Sequence, residues 1–399
     1  MRRRYRFNRL EFAGSLGDLG TLLPLAIGMI IINGLSPSGL FLSVGVFFIF
    51  SGCYYGVTSP VQPMKVIGAY AIATGITASQ IAASGVLIAF FLLVLGGTGA
   101  IRVLGRWIPK SVVRGVQIST GTLLMAQGVR FMAGSSQFQV LQKAAEPYLT
   151  VQNLGPVPIG LVIGIVGGAL TLLLLANRRF PAGLVVVLGG LVLGLILGTY
   201  EGFKDLRVGL YLPDILPFGI PSAADFTFAL LVLVLPQIPM TVGNAVIANA
   251  DLSLEYFPEG SKKVTCEALC ITMSLANFLS FLVGGMPLCH GAGGLAAHYR
   301  FGARTAGSNL MIGVIFLFLA IFLGDHALAL LYLLPMSVLG ILLIFAGSQL
   351  ALTIIDMKER KDLFVTLVML GITLASNLAV GFAVGIAIAY ALKWEKLKV

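Results

Sequence analysis

Ser59-Pro60-Val61-Gln62-Pro63-Met64-Lys65 and Gly284-Gly285-Met286-Pro287-Leu288-Cys289-His290-Gly291 interrupt two otherwise apolar stretches of this chain in the same manner. Proline removes a backbone donor and glycine loosens a helix, so each break leaves N–H and C=O groups without partners. Lipid cannot satisfy such groups, and irregular backbone at membrane depth is tolerated where it lines a polar cavity. Breaks at corresponding places in two halves of a chain therefore point to a transporter site.

The surrounding composition fits that reading. Of 399 residues, 58% are hydrophobic and 11% charged, and the mean hydropathy is +0.98, which excludes an ordinary soluble domain. Between Phe12 and Ile101 the charged side chains are Asp18 and Lys65, over a run several times the ~20 residues that one crossing needs. The class is an all-α polytopic membrane protein. The basic N-terminus, Met1-Arg2-Arg3-Arg4-Tyr5-Arg6, lacks the pattern of a cleaved signal and reads as a cytoplasmic anchor. The formal charge of +10 sits mostly at the ends of apolar runs, which is the positive-inside pattern rather than a nucleic-acid surface. Cys53, Cys266, Cys270 and Cys289 have no zinc or redox spacing. No metal, cofactor or nucleic-acid partner is expected.

Apolar runs predict spans near 14–33, 39–57, 64–77, 80–101, 111–133, 156–176 and 181–200, a first repeat over 1–200. A polar connector at 201–224, with Glu201, Lys204, Asp205, Arg207 and Asp214, precedes a second repeat over 225–399, with spans near 225–249, 263–284, 288–299, 306–323, 327–347, 363–376 and 378–393. The third span of each set is short and follows a break. Counted from a cytoplasmic N-terminus, the basic clusters Arg102/Arg106/Lys110/Arg114, Arg178/Arg179, Lys262/Lys263, Arg300/Arg304, Lys358/Arg360/Lys361 and Lys393/Lys396 all fall inside. Both termini are then cytoplasmic. An odd number of spans per half inverts the second relative to the first.

Each break offers N–H groups at the start of a short helix, after Met64 and around His290, and two such ends meeting at mid-membrane suit an anion. Lys65 is a deep cation that needs an anion. The candidates are the substrate and Asp18, with snorkelling to the surface as the remaining option. Gln237, Thr241 and Asn244 share a helix face and either present neutral donors to a ligand or join helices; Gln237 and Asn244 are preferred. His290 is placed to donate to an anion, carry a proton or cap its helix. No enzyme signature occurs in a suitable context, so no catalytic residue is assigned.

At Phe12-Ala13-Gly14-Ser15-Leu16-Gly17-Asp18-Leu19-Gly20-Thr21-Leu22-Leu23-Pro24 and Pro60-Val61-Gln62-Pro63-Met64-Lys65 the chain resembles the molybdate transporter family, a branch related to the sulfate permeases. Gly243-Asn244-Ala245 and Pro287-Leu288-Cys289-His290-Gly291-Ala292-Gly293-Gly294 are similar too. The resemblance implies about 14 transmembrane segments as a 7+7 inverted repeat, with short half-helices at segments 3 and 10. It implies a core domain near 11–110 plus 225–303 and a gate domain near 111–200 plus 304–393. It also implies a homodimer in the inner (plasma) membrane, and the stop at Val399, without a soluble C-terminal regulatory domain, matches the molybdate branch. Nucleobase permeases of that fold use carboxylates in the eighth and tenth spans, whereas Phe226–Ala250 and Ala268–Tyr299 contain no Asp or Glu. The expectation is a secondary transporter of a tetrahedral oxyanion, molybdate before sulfate or tungstate. Gln62, Met64, Lys65, Gln237, Asn244, Cys289, His290 and Gly291 would bind it, with Asp18 serving coupling or an ion pair. Another oxyanion permease of the same fold and an anion channel are the alternatives, and proton or cation coupling is left open.

Overall fold

A computed structural model describes residues 5–101, 103, 107–175, 177, 181–200 and 206–394. Arg102, Arg106, Arg178, Arg179, Glu201, Lys204, Asp205 and Lys396, used above for topology, lie outside the described residues. The first half contains α1 (Arg9–Ser15), α2 (Leu19–Asn33), α3 (Pro37–Tyr55), β1 (Gln62–Pro63), α4 (Lys65–Thr74) and α5 (Ala78–Thr98). It continues with α6 (Lys110–Ala133), the short α7 (Gln137–Leu141), a two-residue hairpin of β2 (Asn153–Leu154) and β3 (Val157–Pro158), α8 (Ile159–Leu175) and α9 (Ala182–Leu197). The second half contains α10 (Ala223–Tyr256), α11 (Cys266–Val283), β4 (Leu288–Cys289), α12 (Ala292–Phe301) and α13 (Ala306–Phe322). A short α14 (Ala327–Leu331) is followed by α15 (Met336–Ala351), α16 (Arg360–Ala375) and α17 (Leu378–Ala391).

Among the described residues α3, α5, α10, α11 and the helix from Met336 to Asp356 are each long and apolar enough to cross a bilayer. Two further pairs qualify only together, α1 with α2, bent by 42°, and α12 with α13, bent by 104°. The bend in the first pair falls at Leu16–Asp18. Helix ends sit where local chemistry puts them. Pro37 opens α3 behind the Ser36 cap, Thr77 and Gln80 form a capping box on α5, and Gly56 closes α3 in the left-handed region. The expected span at 327–347 is divided instead: α14 ends at Leu331, and a new helix starts after Pro335. Proline at the N-cap ends any helix arriving from upstream, and the Glu146 carboxylate accepts the amides of Met336 and Ser337 at 2.8 and 2.9 Å. Helix α10 carries π-helical stretches at Ala229–Val234 and Thr241–Ile247, on either side of Pro236 and Pro239. The missing proline donors disturb the regular ladder there.

Packing exchanges helices between the halves: α3 lies along α13 and α5 along α11. Helices α6 and α15 cross through paired glycines. A Cβ on Gly347 would lie 2.5 Å from the Gly121 carbonyl oxygen, and one on Gly340 2.5 Å from that of Gly128. Small residues let membrane helices approach until their backbones touch. The connector, expected to be a polar spacer, closes helix ends: Gly209 and Tyr211 donate to Phe322 and Ile321, and Leu216 donates to Leu282. These bonds satisfy terminal carbonyls of α13 and α11.

Candidate functional site

The two breaks meet. Strands β1 and β4 pair antiparallel, with Gln62 opposite Cys289 and Pro63 opposite Leu288, and Met64 donates to the Pro287 carbonyl at 2.8 Å. Helices α4 and α12 start from this ribbon, with Met64 and Gly291 as their N-caps. Buried amide side chains hold the irregular backbone. Asn309 of α13 accepts from the Ser59 amide at 2.9 Å and donates to the Ser59 carbonyl at 2.7 Å. Asn277 of α11 treats Leu288 the same way, at 2.9 and 2.8 Å. Asn249 donates to the His290 carbonyl at 2.7 Å, and Asn33 closes the far end of α4 through Ala71 and Ile76. Each bond replaces a partner that lipid cannot provide. Asn249, Asn277 and Asn309 were not singled out from sequence; their one signal is an amide placed in an apolar run.

The first turns of α4 and α12 differ. In α4, Gln237 Oε1 accepts the amides of Val66 and Ile67 at 3.0 and 3.3 Å while its Nε2 donates to Thr241. Gln237 therefore caps a helix, and Thr241 holds Gln237. In α12 the corresponding turn is Ala292-Gly293-Gly294, and no described residue accepts from the amides of Ala292 or Gly293. Gly291 packs against the amide groups of Gln62 and Asn244, Gly294 against Asp18 Oδ2, and a Cβ on Gly293 would lie 3.9 Å from Lys65 Nζ. Absent side chains thus let β1, α4, α10 and the loop before α2 converge on one helix end.

Lys65 and Asp18 do not form an ion pair within 4.0 Å; the ion pairs among the described residues are those of Lys110 and Arg114 with Asp356. Lys65 is half-buried, and neither its side chain nor that of Asn244 makes a hydrogen bond among the described residues. Asp18, 3% exposed, accepts from Gln62 Nε2 through Oδ1, while its Oδ2 and Gln62 Oε1 are buried without donors. Met64 and Cys289 are buried, and Cys289 Sγ faces the Pro63 carbonyl at 3.6 Å. His290 is fully buried with both ring nitrogens engaged. Its Nδ1 lies 2.7 Å from the Pro60 carbonyl, an acceptor only, so Nδ1 carries the proton and Nε2 accepts from the Thr272 hydroxyl at 3.1 Å. The imidazole fastens the second break to the first. The side chains brought around the open end of α12 are Gln62, Lys65, Asn244 and Asp18; those of Gln237 and His290 are turned onto the protein.

Known structures share this backbone. It matches SLC26A9 with a TM-score of 0.68 at 15% identity, over 96% of this chain and 65% of that one, just under two thirds of its length. The transmembrane domain of the cyanobacterial bicarbonate transporter BicA gives 0.65 at 14% identity, over 96% and 97%. Murine Slc26a9, an anion transporter solved in the inward-facing state, gives 0.67 at 17% identity, over 97% and 68%. The class so defined is a fold, the one these three structures share. Sequence likeness is narrower. The family described as "Molybdate transporter of MFS superfamily" matches residues 10–124 and 229–350. Molybdate transporter 2 of Arabidopsis thaliana is 33% identical, and molybdate transporter 1 of the same plant 31%, each over 94% of this chain and 86% of the relative. Molybdate transporter 1 of Chlamydomonas reinhardtii is 30% identical over 86% and 83%. This chain belongs to the molybdate transporter family.

Proposed function

We propose that the chain is a secondary transporter of molybdate, which binds at the open N-terminus of α12. The carrying observation is the half-buried Lys65 ammonium, without an ion pair, 3.9 Å from the place a Gly293 side chain would occupy, beside amides that no described residue caps. An ammonium and unpaired helix-terminal N–H groups together suit an oxyanion. Asn244 and Gln62 complete the seat from opposite sides. Met64, Cys289 and Gly291 form its floor, and Gln237 and His290 hold the two breaks in register. Molybdenum is handled as an oxyanion, so no metal ligands are required of the protein.

The wider organisation follows the same reading. The helices provide 14 segments when α1 with α2 counts as the first and α4 and α12 as half-length segments 3 and 10. Segments 1–7 and 8–14 form the inverted repeats, with both termini at the cytoplasmic face of the plasma membrane. The core comprises α1–α5 and α10–α13. Helix α13 joins it, instead of the gate over 304–393, because Asn309 binds the first break and Gly313 packs against Gly45 of α3. The gate comprises α6–α9 and α15–α17. Core and gate touch along α4 and α6 and along α2 and α15, Gln117 of α6 donates to Met240 of α10, and Gly20 of α2 meets Gly183 of α9 without side chains. Alternating access is the movement of one against the other.

Uptake of labelled molybdate into proteoliposomes tests this reading. Saturable uptake with trans-stimulation by unlabelled molybdate, and weaker competition by sulfate, is expected. Absence of molybdate binding, or uptake unchanged by Lys65→Ala with Gln62→Ala, overturns it.

A further inference from the structure

We propose that Asp18 is the coupling site of this transporter and takes up one proton when the oxyanion binds. The inference rests on the anion seat described above and adds the ion that travels with it. Asp18 is 3% exposed, its Oδ2 has no donor, and that oxygen packs against Gly294 in the first turn of α12. Gln62 Oε1, also without a donor, lies against Gly291, the N-cap of that helix. An acceptor-only carboxylate thus stands against the same helical turn whose amides are assigned to the anion.

Charge decides what this arrangement does. With Lys65 ionised, a dianion and an ionised Asp18 leave the seat at a net −2, whereas a protonated Asp18 leaves it at −1. Like charges in a water-poor site repel strongly. The proton comes from water on the side of anion entry and makes Asp18 a neutral carboxylic acid, whose O–H becomes a donor inside the site. No electron moves. The surrounding groups leave this role to Asp18. Helix α4 contributes Lys65, assigned above to the anion, and Tyr70. Cys289 is a buried thiol. His290 has both nitrogens occupied, and His298 meets Thr58 through Nδ1 with Nε2 buried and unpaired. In α1, Glu11 accepts the amides of Arg304 and Thr305, and Arg9 is exposed. In the last turn of α12, Tyr299 stacks on Tyr256 and Arg300 is exposed. Helices α9, α14 and α15, packed against α2, contain no Asp, Glu, Lys, Arg or His.

Calorimetry of molybdate binding to the purified full chain, in sodium-free buffers of different ionisation enthalpy between pH 6 and 9, counts the protons taken up. Wild type is expected to gain up to one proton per molybdate and to lose affinity up to tenfold per pH unit as pH rises through the titration. Asp18→Asn is expected to bind with no proton uptake and a flat pH profile. Wild-type binding without proton uptake overturns the proposal, as does binding that requires sodium, or uptake that persists in Asp18→Asn and so belongs to His298. Should Asp18→Asn fail to fold, His298→Gln decides: proton uptake that survives this change stays with Asp18, and uptake lost with it overturns the proposal. Failure of wild type to bind molybdate at all refutes the anion seat instead.

Discussion

The two breaks share one scaffold and differ in their first helical turn. Each has a two-residue strand paired to the other, a short helix, and an asparagine from a neighbouring helix clamping its backbone on both sides. Beyond the N-cap, α4 reads Lys65-Val66-Ile67, with Val66 and Ile67 fully buried and their amides taken by Gln237. Helix α12 reads Ala292-Gly293-Gly294, with no side chain beyond a methyl group and no described residue accepting from its first two amides. A near-symmetric frame thus carries a one-sided seat. The sealed end contributes a lysine and the open end contributes backbone.

Removing the lysine charge is the strongest way to break this contrast. Lys65→Gln is expected to weaken molybdate binding by about 1.5–3 kcal/mol, roughly ten- to a hundredfold, read by calorimetry. A change under about twofold would show that the charge does not face the anion. Next come the clamps. Asn309→Ala and Asn277→Ala each leave one buried N–H and one C=O unpaired and are expected to cost about 1–3 kcal/mol apiece, seen as similar falls in Tm in detergent. A fall at one break only would show that the scaffold is not shared. Gly293→Val fills the space before Lys65 Nζ without striking backbone, so about tenfold weaker binding (~1.4 kcal/mol) with little change in Tm is expected. The smallest effect on affinity belongs to Gln237→Ala. It removes a cap, costs about 1 kcal/mol of stability and changes molybdate affinity less than about threefold. A larger loss of affinity would place Gln237 on the anion and the seat between both helix ends.

Much of the frame was legible in the amino-acid order. Hydropathy located most of the helices to within a few residues, and Pro60, Pro63, Gly284 and Pro287 marked the two discontinuities before any fold was in view. The exceptions have physical causes. The pairing of β1 with β4 involves two residues per strand, one of them a proline, too little for any strand pattern. The division at Leu331 depends on Glu146, almost two hundred residues away, which caps α15 from a loop. At the site, sequence placed Gln62, Lys65, Asn244 and Gly291 among the candidates, and they lie together. Gln237 and His290 were chosen on the same grounds, but an amide or imidazole in a membrane helix serves backbone and ligand equally well, and only geometry shows which. Spacing also left open a Lys65–Asp18 ion pair, and the structure contains none within 4.0 Å.

The most direct test is the position of molybdenum itself, located by its anomalous scattering or strong density in the protein with molybdate bound. A one-sided seat predicts molybdate oxygens on the amides of Ala292 and Gly293 and on Lys65 Nζ, with Gln237 still on the amides of Val66 and Ile67. Molybdenum centred between the two helix ends, with Gln237 displaced, would contradict it.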